Sequence, residues 1–258
     1  MSHQLTLTTD MGTTDPYIPA LKGWLWNKVP HAKIVDITHH IRRNDIREAV
    51  YVIRHCAGFY PPATVHLIGI EGESDHDRPL PPFIVVEAMD QYFIARDHGL
   101  LSLCLDVLPD EVHALQEQPG QFPLLDTAVP AAVALLQGVP IPHVETHHHR
   151  PYRIAAQEPI ISNNLIRGTV IYNDHFGNAI TNIRREHLNR FSPEIVPLIC
   201  YWSNEFIRGF SEKYTDVPIG EPLCLINQTG LVEIAINQDS AQALLGLQLN
   251  RNIMIQFN

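Results

Sequence analysis

The first residues of the chain alternate in a way that predicts a strand, then a loop, then a helix. Leucines alternate with threonines over residues 5–9, a period of two that is typical of a strand. Asp10 follows and begins a loop. Asp15 is the expected helix cap, with Pro16 at the first helical position and Pro30 as the stop. Asp10 would therefore stand at the carboxyl end of a strand, where open α/β sheets bind ligands. A turn-capping role for Asp10 fits the pattern equally well.

Predicted strands and helices continue to alternate along the first half of the chain. Strands are predicted over residues 33–37, 64–70, 83–87 and 92–95, and helices over about 45–55 and 126–136. Strands separated by helices form parallel βαβ units, and the close pair at 83–95 adds a hairpin. The first half is thus predicted to be an α/β domain with a mixed, mainly parallel sheet. His39 and His40 follow its second strand, and we expect one to be structural and the other exposed.

The second half has shorter and more evenly spaced strands. Prolines and three consecutive histidines mark residues 139–157 as the candidate linker, so the predicted domains are 1–150 and 151–258. Beyond the linker, strands are predicted over residues 168–172, 179–183, 195–201, 223–227, 231–236 and 253–257, with one helix over 240–245. Such a pattern is typical of a smaller all-β domain, either barrel-like or sandwich-like.

Composition and charge narrow the class of protein. The 258 residues are 45% hydrophobic, which is enough for a buried core, and the net charge of −10 argues against nucleic-acid and anionic-membrane surfaces. A small cationic or zwitterionic ligand fits this charge. No apolar run reaches the roughly 18 residues of a membrane span, and the N-terminus lacks the order of a signal peptide, so we expect a cytoplasmic protein. The four cysteines form no C-x-x-C pair and are expected to be reduced core thiols.

Two groups of polar residues at predicted strand ends and turns are candidates for chemistry. Glu71 directly follows a buried strand, and Arg78 is close enough in sequence to fold back on it as an ion pair that holds a polar ligand or a water. The alternative is a solvated salt bridge, since such surface pairs are common and weak. Asp174 and Asn178 flank Phe176 in a turn whose acceptors suit an ammonium group. A hairpin turn that uses Asn and Gly for backbone reasons is equally compatible.

Other chemistries lack their usual signals. The run His147–His149 invites a metal site, but neighbouring residues of an extended chain point in opposite directions and no H-E-x-x-H is present, which favours a solvated linker. The sequence has no G-x-G-x-x-G, no P-loop and no G-x-S-x-G. No motif therefore supports a dinucleotide-binding, phosphoryl-transfer or serine-hydrolase function. We expect neither a metal nor a cofactor.

Six segments in one order resemble a known family. They are TTDMGTTDPYIPALKG, IVDITHHI with NDI, TVHLIGI, DHGLL, NDHFGNAITNI and GLVEIAINQDSAQALLGL. Together they are similar to the S-adenosyl-L-methionine (SAM) hydroxide adenosyltransferases, the SAM hydrolases related to the SAM-dependent fluorinase and chlorinase. The resemblance covers nearly the whole chain. It implies an N-terminal α/β domain, a C-terminal β-barrel domain and a homotrimer that holds SAM between domains of neighbouring subunits.

The resemblance also implies roles for individual residues. Asp10 would bind the ribose hydroxyls, and Phe122 would line the ribose and the reaction centre. Asp174 and Asn178 would hold the methionine part with Phe176 beside them, and its carboxylate would lie near Gln228 and Thr229. A further substrate-binding candidate is Asp97 of the DHGLL segment. The hydrolases position their water with an Asp, an Arg and a His, whose places here are taken by Glu71, Arg78 and Pro123.

Loss of the histidine does not by itself exclude hydrolysis. Attack at ribose C5′ displaces methionine from a sulfonium, a neutral leaving group that needs no proton, and general-base assistance is worth about 10²–10⁴-fold. Glu71 would repel a halide, which disfavours halogenation. The predicted activity is therefore hydrolysis of SAM to adenosine and L-methionine. A non-catalytic SAM or adenosine binder is the main alternative, and a metal-dependent hydrolase built on the histidine run is a more distant one.

Overall fold

The computed structural model describes residues 4–71, 80–118, 120, 122–202 and 205–257. The chain divides into two compact units, Met1–Ala155 and Ala156–Asn258. Each unit buries its own clusters of apolar side chains. Within the described residues, no helix is both long enough and apolar enough to cross a membrane.

The first unit is a seven-stranded sheet with helices on both faces. Its strands are β1 (Gln4–Thr9), β2 (Lys33–Thr38), β3 (Val65–Gly69), β4 (Phe83–Ala88), β5 (Gln91–Arg96), β6 (Val112–Leu115) and β7 (Thr146–His149). Its helices are α1 (Tyr17–Lys28), α2 (Ile46–Cys56), α3 (Leu100–Cys104) and α4 (Val129–Leu136). The strand order is β2-β1-β3-β5-β4-β6-β7, and every strand runs in one direction except β4 and β7. The prediction of a mixed, mainly parallel sheet is confirmed.

Apolar side chains of this sheet face two separate layers of helices. Leu7 of β1 lies in one cluster with Leu25 of α1 and with the apolar residues of α4. Ile68 of β3 lies in the other cluster, with Ile53 of α2 and the apolar residues of α3. Because helices cover both faces, β3 is buried along its whole length.

Local signals place the starts of α1 and α2 to within one or two residues. The predicted start of α2 near residue 45 is confirmed. Asp45 caps the helix, and its carboxylate accepts hydrogen bonds from two amides of the first turn. Helix α1 differs from the prediction, because it begins at Tyr17 and Pro16 occupies the capping position that was expected for Asp15. A proline can hold this place because a helix start leaves its amides without intrahelical acceptors.

The histidine run lies partly in the sheet. Strand β7 pairs antiparallel with β6, and His148 stands opposite His113 with the two ring centroids 5.3 Å apart. The prediction of a linker is therefore wrong for residues 146–149. The cause is that β7 is an edge strand with no buried residue, so it carries no apolar alternation that a sequence pattern can detect.

The second unit is one antiparallel, barrel-like sheet. Its strands are β8 (Ile160–Ile161), β9 (Leu165–Asn173), β10 (Ala179–Arg184), β11 (Leu198–Trp202), β12 (Glu205–Arg208), β13 (Pro222–Ile226), β14 (Leu231–Ile236) and β15 (Asn252–Gln256), and its helices are α5 (Arg185–Leu188) and α6 (Ala241–Leu244). The strand order is β12-β11-β15-β9-β10-β14-β13, with β8 beside β9. The all-β prediction is confirmed. The sequence missed β8, β12 and α5, which are too short to show a period.

A buried histidine links strands of the first sheet. His66 of β3 is 1% exposed, and its Nδ1 lies 2.7 Å from Thr6 Oγ1 while its Nε2 lies 3.1 Å from Gln91 Oε1. The Gln91 amide donates to the carbonyls of Ala57 and Tyr60, so its oxygen faces Nε2, which must carry the proton. Burial lowers the pKa of His66 to about 4, against the hydrogen bond to Gln91, which acts in the opposite direction, so the imidazole is neutral at pH 7.

Because of His66, we expect the free energy of unfolding to decrease as the pH falls from 6.5 to about 4. The unfolded chain binds this proton with the ordinary pKa of 6.5, so the stabilisation is complete above that pH and is lost towards the folded-state value, by about 3 kcal/mol in all. Urea unfolding at pH 7 and pH 4 measures the change. His66→Gln should lose less stability on acidification than the wild type. The exposed His31→Gln is the control, and an equal loss in all three proteins contradicts this role.

Candidate active site

Three neighbouring parallel strands bring polar side chains to one edge of the first sheet. Thr9 at the end of β1 lies in register beside Gly69 at the end of β3, and β3 also pairs with β5. Asp10 and Glu71 therefore follow adjacent strands, and Arg96 is the last residue of β5. This is the carboxyl edge of the parallel strands, where open α/β sheets bind ligands.

The backbone of a neighbouring loop holds Asp10 in place. The amide of Asn44 donates a hydrogen bond of 2.8 Å to Asp10 Oδ2. Asn44 has a φ of +61°, a left-handed conformation that asparagine adopts more readily than most residues. In the part of the chain that the structure describes, no donor meets Asp10 Oδ1. The half-buried carboxylate thus keeps one oxygen for a ligand.

A buried histidine supports the loop that carries Asp10. His39 is 3% exposed, and its Nδ1 lies 2.9 Å from Thr9 Oγ1. The His39 carbonyl accepts a hydrogen bond of 2.7 Å from the Gly12 amide, which ties the loops after β1 and β2 together. His40 is exposed. The expectation of one structural and one exposed histidine is confirmed.

Glu71 pairs with an arginine that the sequence analysis did not select. Arg96 Nε donates to Glu71 Oε2 over 3.0 Å, and Arg96 Nη1 donates to Glu117 Oε1 over 2.5 Å. The guanidinium lies 4.0 Å from the ring centroid of Phe83, and the residue is 2% exposed. Arg78, the predicted partner of Glu71, lies outside the described residues. The one sequence signal for Arg96 is a charge at the end of an otherwise apolar strand.

Asp97 anchors the chain segment that follows the last strand of the first sheet. It is 7% exposed, and its carboxylate contacts His149 Nε2 at 2.7 Å and accepts from the Tyr152 amide at 2.9 and 3.0 Å. The next residue, His98, contacts the Ile70 carbonyl through Nε2 at 2.9 Å. Burial lowers the pKa of His98, which keeps the ring neutral with its proton on Nε2. The contacts of Asp97 are thus contacts within the first unit.

Phe122 lies beside a second aromatic side chain. Its ring centroid is 5.9 Å from that of Tyr17, the first residue of α1, and its amide donates to Asp126 Oδ2 over 3.0 Å. Pro123 follows with a φ of −54° and a ψ of −34°, inside the helical region, and leads into a π-helical turn over Leu124–Ala128. Such turns are frequent at functional sites. Tyr17 was not selected from the sequence.

In the second unit, Asp174 closes a tight turn. Its Oδ1 accepts from the amides of Phe176 and Asn178 at 3.0 and 2.9 Å, and its Oδ2 accepts from Asn178 Nδ2 at 2.9 Å. Gly177 has a φ of +81°, and a Cβ there would lie 2.0 Å from Ser240 Oγ, so only glycine fits. Asn178 is 6% exposed, whereas Phe176 is 76% exposed. These contacts within the turn leave the ring of Phe176 at the surface.

A second turn of this unit carries Gln228 and Thr229, which are both exposed. Asn227 Oδ1 accepts from the Thr229 amide at 3.0 Å and from its hydroxyl at 2.7 Å. Asn227 Nδ2 donates to Glu233 Oε2 over 3.1 Å. Burial raises the pKa of Glu233, and the nearby charge of Asp174 adds to this, against the hydrogen bonds that its carboxylate accepts. Glu233 was missed although it is the one acid in the apolar run of β14.

Metal-binding geometry is absent from the residues that the structure describes. No group of three or more His, Cys, Asp or Glu side chains there could hold a metal ion. The rings of His147 and His149 share one side of β7 with centroids 6.5 Å apart, and His148 Nδ1 lies 3.8 Å from Glu111 Oε2. All four cysteines are free thiols.

Both units match one family of proteins. The SAM hydroxide adenosyltransferase N-terminal domain matches residues 5–145, and the corresponding C-terminal domain matches residues 168–254. An (R)-S-adenosyl-L-methionine hydrolase of Thermus thermophilus is 26% identical over 259 residues, which cover 93% of this chain and 94% of that protein. A fluorinase of an Actinoplanes species is 22% identical and covers 90% of each chain.

Solved structures share the fold. An uncharacterized conserved protein from Thermotoga maritima has a TM-score of 0.83 at 24% identity, over 98% of this chain and 99% of the other. A conserved hypothetical protein from Thermus thermophilus has a TM-score of 0.73 at 21% identity, with the same coverage. At these identities the likeness is one of fold.

Proposed function

Because the chain belongs to the SAM hydroxide adenosyltransferase family, we propose that it hydrolyses SAM to adenosine and L-methionine, with water or hydroxide attacking ribose C5′. Relatives named SAM hydrolases support this reaction. The observation that carries it in this chain is the sheet edge at which Asp10 and Glu71 follow adjacent parallel strands. A carboxylate suits a ribose diol as a hydrogen-bond acceptor, and a second one suits a water that it orients.

The charge at this edge suits a sulfonium substrate and a neutral nucleophile. The two carboxylates of Glu71 and Glu117 share the guanidinium of Arg96, which leaves a formal charge of −1. That charge attracts a cation and repels a halide. Methionine leaves a sulfonium without needing a proton, so the site has mainly to align a water and exclude others. These properties favour hydrolysis over halogenation.

The remaining candidates have roles in the same proposal. Phe122 lines the ribose, and Arg78 takes part with Glu71 in positioning the water. The methionine part is held by Asp174, Phe176, Asn178, Gln228 and Thr229, and Asp97 supports the substrate site from within the first unit. The enzyme acts as a cytoplasmic homotrimer and uses neither a metal nor a cofactor. Light scattering at micromolar concentration tests the trimer.

Product analysis tests the proposed reaction. Purified protein incubated with SAM should release adenosine and methionine in equal amounts, which chromatography detects. A non-catalytic SAM or adenosine binder is a second candidate, because Pro123 stands where the family resemblance implies the histidine. If calorimetry detects binding of SAM but no adenosine is released, the protein is a non-catalytic binder. If a chelator abolishes the hydrolysis, the enzyme is metal-dependent.

Asp10→Ala should weaken the binding of SAM and of adenosine about equally. The ribose hydroxyls would lose charge-assisted hydrogen bonds in a partly dry cleft, at a cost of roughly 1.5–3 kcal/mol, or about 10–150-fold in Kd. Titration calorimetry with both ligands measures this. Asp90→Asn, in the hairpin turn at the opposite end of the parallel strands, is the control. Unchanged adenosine affinity in Asp10→Ala would remove Asp10 from the site.

A further inference from the structure

Arg96 carries a charged guanidinium that is almost fully buried. The residue is 2% exposed, and its guanidinium stacks over Phe83 at 4.0 Å. Taking a charge out of water is costly unless partners and hydrogen bonds compensate for it. Here the compensation comes from two carboxylates and from the Pro81 carbonyl, which accepts from Nη1 at 2.8 Å. The carboxylates of Glu71 and Glu117 are more exposed, with 29% and 43% of their side-chain surface in solvent.

The contact with Glu71 fixes one oxygen only. Arg96 Nε donates to Oε2, and among the described residues no donor meets Oε1. A guanidinium is a planar, rigid fork, and this one is held by four neighbours, so it restricts the rotation of the carboxylate that it binds. The bond therefore sets the direction in which Oε1 points. A surface pair between two mobile side chains would not have this effect.

The need for such a restraint follows from the identity of residue 71. The family resemblance implies an Asp at this place, and Glu is one methylene longer and has one more rotatable bond. A longer side chain has more orientations, of which only a few direct an oxygen at a reacting water. Misplacement of a reacting group by a small distance costs much of the rate gained from alignment.

We propose that Arg96 is the positioning residue for Glu71. It holds Oε2 so that Oε1 accepts a hydrogen bond from the water that attacks ribose C5′. This role rests on the proposed hydrolysis and extends it to a residue outside the Asp, Arg and His set that the family resemblance implies. Glu117 and Phe83 fix the guanidinium in turn.

Turnover and binding of Arg96 variants separate positioning from simple stability. Arg96→Met keeps much of the side-chain length but has no donor, and it should lower kcat for adenosine release by about tenfold or more while the Kd for SAM changes by less than about twofold. Arg96→Lys should recover part of kcat because an ammonium reaches one carboxylate. Arg54→Met is the matched control, since Arg54 also pairs with a carbonyl and a carboxylate, those of Leu103 and Asp106, and should keep kcat.

A double-mutant cycle with Glu71→Gln gives the decisive readout. If Arg96 acts through Glu71, Arg96→Met should lower kcat in the Glu71→Gln background by less than about threefold. Full multiplication of the two effects, or a loss of SAM affinity as large as the loss of kcat, overturns the role of Arg96 and leaves hydrolysis standing. If Arg96→Met does not fold, the same cycle is run with Arg96→Lys. Wild-type protein that releases no adenosine above the enzyme-free background overturns the proposed function and this role together.

Discussion

Replacing Glu71 with glutamine should lower the turnover of SAM by about 10²-fold or more and leave its binding nearly unchanged. The amide oxygen of glutamine can still accept the hydrogen bond from Arg96 Nε, which is 3.0 Å from the carboxylate in the native chain. The side chain would therefore keep its place and shape. It would lose the charge that orients a water and that can take its proton during attack.

Paired measurements of kcat and Kd test this expectation. Adenosine release gives kcat, and titration calorimetry with SAM gives Kd. Glu87→Gln makes the same change of charge on an exposed position of β4 and should behave as the wild type. A Glu71→Gln protein that hydrolyses SAM at the wild-type rate would show that Glu71 has no role in the chemistry.

Pro123→His should raise the rate of hydrolysis, by up to the general-base factor of about 10²–10⁴. The backbone at Pro123 has a φ of −54° and a ψ of −34°, an ordinary helical conformation that histidine adopts without strain. The residue begins a helical segment, where the amide regained with histidine needs no intrahelical acceptor. The substitution would thus place an imidazole where the family resemblance implies one. We expect the backbone to keep its conformation.

The pH dependence identifies the cause of any gain. A histidine acting as a base is effective when neutral, so the added activity should rise with pH through about 6.5, the ordinary value of an imidazole. Pro123→Ala frees the backbone in the same way but supplies no base, and it should keep the wild-type rate. Equal rates for the alanine and histidine variants would show that the imidazole contributes nothing at this place.

Short-range patterns of apolar and polar residues predicted most of the helices and strands of this chain. Alternation with a period of two predicted β1 and other strands, and helical signals predicted α2. Such patterns arise because a buried face must recur at the period of the element that carries it. The start of α2 was predicted near Asp45, and this residue caps the helix through contacts that span only the next three residues. Asp10 and Glu71 were selected because each directly follows an apolar strand. The roles given to Asp174, Gln228 and Phe122 came from the family resemblance, and from no periodicity.

The partners of these residues were decided by tertiary structure. Glu71 and Arg96 are 25 positions apart and meet because β3 and β5 are parallel neighbours, a pairing that neither segment encodes by itself. Strand β7 exists because β6 offers it an edge, although its own histidines show no strand pattern. A sequence window records which side chains can be buried together along one element, whereas contacts between elements depend on the order and register of strands. The sequence therefore predicted the carboxylate at the sheet edge, and only the fold determined which cation holds it.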